Sequence, residues 1–199
     1  SVDGTTLTVT VTINGADDAA GISAAAGRVT AGLTVVARHL AAGGTLVIAD
    51  PDAGGAAFQP QAATAGTYGS FSLAADGTWS YSAANANPAI QALGAGDTLT
   101  ETFTVRSVDG TTSTVTVTIN GADDAAVISA ATGSVTEDLG VVGGNLATGG
   151  TLSIADVDTG EAAFQPQAAT AGAYGSFTLA ADGTWSYSAA NASVAIQAL

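Results

Sequence analysis

Short stretches in which apolar and polar residues alternate recur along the whole chain. The clearest are Thr8–Ile13 and Thr114–Ile119, where Val and Ile alternate with Thr, and residues 98–105 follow the same pattern. In a β-strand, alternation puts the apolar side chains on one face and the polar ones on the other. The pattern therefore predicts strands that are buried on one side only.

Tight turns separate several of these strands. Asp76-Gly77 and Asp109-Gly110 each lie between two alternating stretches. Because Asp-Gly suits the positive φ of hairpin turns, we interpret both, and the equivalent Asp182, as turn residues. Asn87 followed by Pro88 predicts a single helical turn. Short strands joined in this way predict an all-β chain of tandem antiparallel β-sandwich domains.

The sequence repeats itself with an offset of 106 residues. Residues 1–6 recur as 107–112, and the match continues without a gap to Leu199, with 74 of the 93 overlapping positions identical. A period of this length is a whole domain and not a solenoid rung, so the chain is expected to be a string of similar domains.

The register of the repeat predicts where its domains begin and end. We expect residues 1–20 to be the C-terminal strand of a preceding repeat, 21–126 to be one complete β-sandwich, and 127–199 to be part of a following repeat. This division predicts that the sequence is a segment of a longer array.

Composition excludes several classes of function. The 199 residues include no Cys, three Arg, no Lys and 17 acidic residues, for a net charge of −14. Nucleic-acid binding needs clustered basic residues, and disulfide or thiolate chemistry needs Cys. No apolar run reaches the roughly 18 residues of a membrane span, so no membrane insertion is expected. Bound divalent cations are the obvious source of rigidity for such a chain.

Catalysis is not predicted. His39 is the single imidazole, and its repeat counterpart is Asn145, so no His-dependent triad can be common to both copies. Glu101 is expected on the same face of its strand as Leu99 and Phe103, and we interpret it as a rim residue near a strand end. We therefore expect a protein that is not an enzyme.

Acidic residues gather where strands end. Asp123 and Asp124 follow the second Thr-rich strand, and Asp156 and Asp158 are two positions apart, so that in a strand both carboxylates face one side. Calcium takes roughly six to eight oxygen ligands in a flexible geometry. The acidic residues either bind calcium or serve only to solubilise loops.

The order of the motifs resembles the VCBS repeat. The resemblance rests on four segments of the second copy, with the strands at 102–105 and 116–121 completing it: Gly133–Asp138, Gly150–Asp158, Tyr174–Leu179 and Asp182–Tyr187. It implies a cadherin-like or immunoglobulin-like sandwich, repeated in very large secreted bacterial surface proteins. Such proteins are often calcium-binding adhesins or components of the biofilm matrix, so the resemblance implies an extracellular or cell-surface location and neighbouring repeats as partners.

The resemblance also implies calcium at the junctions between modules. It implies that the stronger of two calcium sites is formed by Asp123, Asp124, Glu137, Asp138, Asp156 and Asp158. The corresponding residues of the first copy are Asp17, Asp18, Asp50 and Asp52. There Ala31-Gly32 replace Glu137-Asp138, and Gly55 replaces Glu161, so we expect a weaker or absent site.

The aromatic residues leave a second function open. Trp79 and Tyr81, like Trp185 and Tyr187, alternate on one strand face. They either fill a sandwich core or form a platform on which a sugar stacks, as in a glycan- or ligand-binding adhesin. Burial of both Trp residues would favour a non-enzymatic structural module, a spacer or the shaft of an extracellular fibre.

The repeat also leaves open how the array is joined. Residues 1–20 correspond to 107–126, a part of the repeat that has no counterpart in 127–199. Covalent continuation of the chain is the plainer source of those strands. The alternative is a homopolymer in which a strand of a neighbouring molecule completes the sheet by strand complementation.

Overall fold

The computed structural model describes residue 4 and residues 6–32, 35–36 and 38–199. Its secondary structure is almost entirely β, which confirms the predicted fold class. The strands are β1 Gly21–Ile22, β2 Ala25–Thr30, β3 Val35–Val36, β4 His39–Thr45, β5 Ile48–Ala49, β6 Gln61–Ala65, β7 Gly69–Leu73, β8 Thr78–Ala84, β9 Thr98–Arg106, β10 Thr112–Asn120, β11 Val127–Ile128, β12 Asn145–Thr151, β13 Ile154–Ala155, β14 Gln167–Ala171, β15 Ser176–Leu179 and β16 Thr184–Ala190. One short helix, α1 Pro88–Gln91, lies among them. No helix of the described residues is long and apolar enough to cross a membrane.

The chain divides into two compact units. The first comprises the described parts of residues 1–29, 39–84 and 100–118, and the second those of residues 30–38, 85–99 and 119–199. This division follows contacts and not the period of the repeat, so the predicted domain boundaries after residues 20 and 126 stay predictions.

Two larger sheets build the first repeat. Their strand orders are β3-β4-β8-β7-β6 and β2-β10-β9, and β1 pairs with β5 in a small third sheet. The β4–β8 ladder is antiparallel and runs from the pair His39↔Ala84 to the pair Thr45↔Thr78. Trp79 and Tyr81, on one face of β8, are only 3% and 1% exposed. The first copy's aromatic pair is therefore part of the core.

The predicted turns and cap of the first repeat are confirmed. The Thr78 amide donates to Asp76 Oδ1 at 2.9 Å, and Gly77 has a φ of 87°. The Asn87 side chain accepts from the Ala89 amide at 3.0 Å and so caps α1, with Pro88 at its first position. Local side chain–backbone bonds of this kind explain why these features can be predicted from sequence.

The second repeat reproduces one large sheet, with the strand order β12-β16-β15-β14. Its β12–β16 ladder runs from Asn145↔Ala190 to Thr151↔Thr184, the same register as the β4–β8 ladder of the first repeat. The core here consists of two small clusters. One contains Leu146, Ala189 and Ile196, and the other contains Phe164, Leu179 and Trp185.

The prediction of a strand over Thr8–Ile13 is wrong for the described structure. None of the described residues 6–20 belongs to a strand, and the four apolar side chains Leu7, Val9, Val11 and Ile13 are 77–90% exposed. A strand needs a partner for its backbone hydrogen bonds, and the alternating pattern alone cannot supply one.

Glu101 is not at the rim, contrary to the prediction. It lies within β9 and is buried. The Tyr81 hydroxyl and the Tyr68 amide, the latter at 2.8 Å, both donate hydrogen bonds to its carboxylate. Burial, and then the hydrogen bond and negative charge of Glu101, raise the pKa of Tyr81 far above its usual value. The pair is a satisfied polar contact inside the first repeat.

Candidate functional site: a group of three carboxylates

Three acidic side chains of the second unit converge. One carboxylate oxygen from each of Asp123, Asp158 and Glu161 lies within 4.8 Å of the others. Asp123 follows the end of β10, and Asp158 and Glu161 lie in the loop that follows β13. The ends of two strands therefore bring the carboxylates together.

Backbone hydrogen bonds fix this geometry. The Asp158 amide donates to Asp156 Oδ1 at 2.9 Å, and the Asp124 amide donates to Asp158 Oδ2 at 2.6 Å. The Thr159 amide donates to the Ala92 carbonyl at 3.1 Å, which ties the loop to the end of α1. The carboxylates are thus held by ordered backbone, as a preorganised ligand set requires.

The segment after α1 approaches the group closely. The Ala95 amide donates to Asp123 Oδ1. A Cβ on Gly94 would lie 2.5 Å from Glu161 Oε1, so a larger residue could stand there only if the Glu161 carboxylate moved. Gly94 therefore leaves the space that the Glu161 carboxylate occupies.

Asp158 is the most constrained member. It is 2% exposed, and its Oδ1 atom is buried without a hydrogen-bond partner. A buried carboxylate oxygen without a donor costs free energy unless a cation or another donor meets it. This oxygen is an open ligand position.

The charges in the group repel one another. Burial raises the pKa of Glu161 above its ordinary value, and the neighbouring Asp123, Asp158, Asp156 and Asp97 raise it further. Residues 107–199 contain nine acidic residues and no basic residue, so this part of the chain offers no cation of its own. A bound metal ion would relieve the repulsion.

The donor set fits calcium. Carboxylate and carbonyl oxygens on several loops are the ligands that Ca²⁺ prefers, and the flexible coordination of calcium suits an irregular site. The Asp158 Oδ1 atom, which has no hydrogen-bond donor, is an oxygen that a calcium ion could coordinate.

The structure distributes the six residues of the predicted stronger site unevenly. Asp123 and Asp158 belong to the group, Asp156 caps the Asp158 amide, and the Asp124 amide contacts Asp158. Glu137 and Asp138 lie outside the group of three. Glu161, the third member of the group, was not among the six predicted residues. In the sequence it stood out only because the first copy has Gly55 at the same position.

Asp138 has other partners. It accepts hydrogen bonds from Asn191 Nδ2 at 2.8 Å and from Gln197 Nε2 at 3.3 Å. These side-chain hydrogen bonds lower the pKa of Asp138. Its carboxylate therefore ties two loops of the second repeat together.

The first copy has the same backbone frame without the third carboxylate. The Asp18 amide donates to Asp52 Oδ2 at 2.6 Å, and the Asp52 amide donates to Asp50 Oδ1 at 2.7 Å. Asp17 stands where the second copy has Asp123, but Gly55 stands in place of Glu161. Among the residues that the structure describes, no group of three carboxylates forms in this copy.

The two Trp side chains offer no exposed platform for a sugar. Trp79 and Trp185 are 3% and 8% exposed, and the rings of Phe71 and Phe177 lie against them at centroid distances of 6.0 and 6.1 Å. Both Trp residues therefore contribute to cores.

Comparison with known proteins identifies a family that matches the chain. The family model described as "Bacterial cadherin-like domain" matches residues 16–121, a little over half of the chain. A solved structure of protocadherin gammaB7, an EC3-6 cis-dimer, is similar with a TM-score of 0.45 and 12% identity; the match covers 87% of this chain and 39% of that one. No curated protein matches. By its family match, the chain belongs to the bacterial cadherin-like domains, which are adhesive or structural modules.

Proposed function

We propose that the chain is a calcium-stabilised structural module of a large secreted bacterial surface protein or extracellular fibre. Asp123, Asp158 and Glu161 would hold the ion. The observation that carries the proposal is Asp158, a buried carboxylate with one oxygen unpartnered in a group of repelling charges.

The proposed mechanism is charge neutralisation at a loop junction. Asp123 lies just after β10, Asp158 and Glu161 lie after β13, and the Ala95 segment contacts Asp123. A divalent cation on these carboxylates would hold the three segments together, and without it their mutual repulsion would loosen them. Because the residues after β10 lead into the second repeat, such a clamp would limit bending between consecutive repeats.

Family membership and charge support the remaining parts of the proposal. A bacterial cadherin-like domain suits a secreted or cell-surface protein, in which the neighbouring repeats of the same chain are its nearest partners. The VCBS resemblance, the biofilm-matrix setting and filament formation by strand complementation belong to the same proposal. Burial of Trp79 and Trp185 favours the structural module over a glycan-binding one.

Calcium titration by isothermal calorimetry tests the site. We expect the wild-type chain to bind one calcium ion more tightly than any other, and Glu161→Gln to weaken that binding at least tenfold. Asp182→Asn is the matched control, because Asp182 lies in the exposed turn where it accepts from the Thr184 amide. Small-angle scattering with calcium and with chelator tests the stiffening separately. Equal binding by Glu161→Gln and Asp182→Asn would refute the assignment of the site.

A further inference from the structure

We propose that the free edge of β9 in the first repeat binds an extended segment of another protein, and that this segment carries a basic residue. The segment would add a strand beside residues 100–104 and place its basic side chain over Glu101. The surface is built entirely by residues 59–106. It adds an interaction site to the proposed function and does not depend on the calcium site.

The edge of β9 is open because the chain leaves it partway along. The segment that precedes β6 runs beside β9, where the Gln59 amide donates to the Arg106 carbonyl at 2.8 Å. β6 itself pairs with β7, and a bulge between Gln61 and Thr64 interrupts that pairing. Within the described residues β9 has β10 as its neighbour in the sheet and no strand on its other side. A chain that passes from one sheet of a sandwich to the other leaves such an edge behind.

The bulge that accompanies this departure belongs to the repeat. Ala63, within the bulge, has a φ of 50°, a left-handed conformation that is unfavourable for a residue with a Cβ. In the second repeat Ala169 has a φ of 55°, and the register of β14 shifts at the same place. Both repeats thus contain the same strained bulge, which indicates that the sequence specifies the path of β6.

Backbone groups of β9 face the open side without partners. The Thr104 carbonyl faces β6, where it accepts from Gln61 Nε2 at 2.8 Å. Backbone groups of alternate residues in a strand point to the same side, so those of Thr100 and Thr102 face β6 as well. Among the described residues neither has a hydrogen-bond partner there. An edge with unpaired amides and carbonyls is a template for an added strand.

A polar groove runs along this edge. It has a volume of about 500 Å³ and lies between β9 on one side and β6 with the turn after it on the other. The side chains of Thr100, Thr102 and Thr104 are exposed beside it. Glu101 and Phe103, which point inward from β9, also line it. An added strand would alternate in the same way, so every second side chain of that strand would face Glu101 and Phe103.

The charge of Glu101 determines which segment fits. Its carboxylate is 6% exposed and accepts hydrogen bonds from the Tyr81 hydroxyl and the Tyr68 amide. The chain has no Lys, and none of its three Arg is in the described lining of the groove. An inward-pointing charge on an edge strand opposes pairing with an apolar or acidic strand. A Lys or Arg over Glu101 would supply the opposite charge, and the net charge of −14 would favour its approach.

Another protein fits this edge better than a second copy does. The three Arg of the chain lie in β2, in β9 and directly before β4, so among the described residues none is on an unpaired extended segment. A second copy would also bring a further net charge of −14. Because Leu99 and Phe103 flank Glu101 on the inward face of β9, the expected segment has a basic residue with an apolar residue two positions away on either side.

Amide hydrogen exchange measured by NMR on the 199-residue chain tests the inference. The probe is a synthetic peptide, Thr-Val-Thr-Lys-Thr-Val-Thr, blocked at both ends, which alternates as an added strand must. We expect it to slow exchange at the Thr100 and Thr102 amides. We also expect it to bind at least tenfold more tightly than the same peptide with Glu in place of Lys. Equal binding of the two peptides, or unchanged exchange at both amides, would overturn the inference.

Two substitutions at Thr102 test the role of the backbone. Thr102→Pro removes the amide donor, and Pro is tolerated on an edge strand whose N–H faces away from the sheet. Thr102→Ala is the matched control, because it removes the side chain and keeps the amide. We expect Thr102→Pro to weaken binding of the Lys peptide at least tenfold and Thr102→Ala to bind like wild type. Equal binding by the two variants would contradict pairing along β9.

Glu101→Gln tests the charge independently and does not depend on how well Thr102→Pro folds. It keeps an acceptor for the Tyr68 amide and removes the charge, so it should abolish the preference for the Lys peptide over the Glu peptide. A preference that persists in this variant would overturn the role of Glu101. Self-association of wild type that Thr102→Pro abolishes would identify a second copy as the occupant and contradict the proposed partner.

Discussion

The ring of Phe71 on β7 stacks on that of Phe103 on β9, with centroids 4.8 Å apart and planes 11° apart. This contact joins the two larger sheets of the first repeat. Among the described residues of the second repeat, Phe177 has no equivalent partner from a second sheet. Residues 127–199 contain no counterpart of β9, so within the given sequence only the first repeat has this contact.

Removal of the Phe103 ring should destabilise the first repeat strongly. Phe103→Ala deletes a buried ring and leaves a cavity beside Phe71 and Tyr81, a change that costs about 3–5 kcal/mol. Urea unfolding monitored by Trp fluorescence measures the loss. Val108→Ala, at a half-exposed position, serves as control and should cost well under 1 kcal/mol, in line with the roughly ±0.5 kcal/mol typical of surface substitutions. A loss of similar size in both variants would contradict the account.

The hydrogen bond from Tyr81 to the buried carboxylate of Glu101 should contribute to the free energy of unfolding. Tyr81→Phe removes the hydroxyl donor and leaves Glu101 with the Tyr68 amide, so we expect a loss of about 1–3 kcal/mol. Tyr68→Phe is the matched control, because Tyr68 contacts Glu101 through its backbone, and it should be nearly neutral. Urea unfolding of the two variants distinguishes them, and equal stability would show that the hydroxyl is dispensable.

Acid should destabilise the chain in part through Asp109. Its carboxylate accepts from the Ser107 hydroxyl, from the Ala20 amide at 2.8 Å and from the Thr111 hydroxyl at 2.8 Å, and these bonds hold the pKa of Asp109 well below its ordinary 3.8. A folded-state pKa below the unfolded one adds stability that is complete above about pH 4 and is lost as the pH falls towards the folded value.

Thermal unfolding between about pH 6 and pH 2.5 measures this contribution. Asp109→Asn should melt at a lower temperature than wild type near pH 6, and the difference should shrink below pH 4 as wild type loses the charge. A difference in melting temperature that stays constant over the whole range would contradict the assignment.

Local features were predictable from sequence because they depend on neighbouring residues. The Asp76 turn and the Asn87 cap follow from residues a few positions apart. The sequence left the position of Trp79 and Tyr81 open, because their burial depends on the facing sheet. The absence of a strand at 8–13 was not predictable from neighbouring residues, since a strand needs a pairing partner elsewhere in a sheet. Glu101 was assigned to the rim because alternation gives its face but not its partner, the Tyr81 hydroxyl.

The candidate site shows the same limit. The Asp pairs at 123–124 and 156–158 stand out in the sequence, and the structure brings Asp123 and Asp158 together. Glu161 joins them only because the loop after β13 folds back towards the end of α1, a contact between segments far apart in sequence. Asp138 instead bonds to Asn191, which no local pattern indicates.

Thermal unfolding of the 199-residue chain in excess calcium and in chelator tests the central claim most directly. Binding to the folded state alone, at a hundredfold excess over the dissociation constant, adds about 2.7 kcal/mol. For a chain of this length that raises the melting temperature by about 5–10 °C. The account predicts this rise in wild type and a much smaller one in Glu161→Gln. Identical melting of wild type in calcium and in chelator would contradict it.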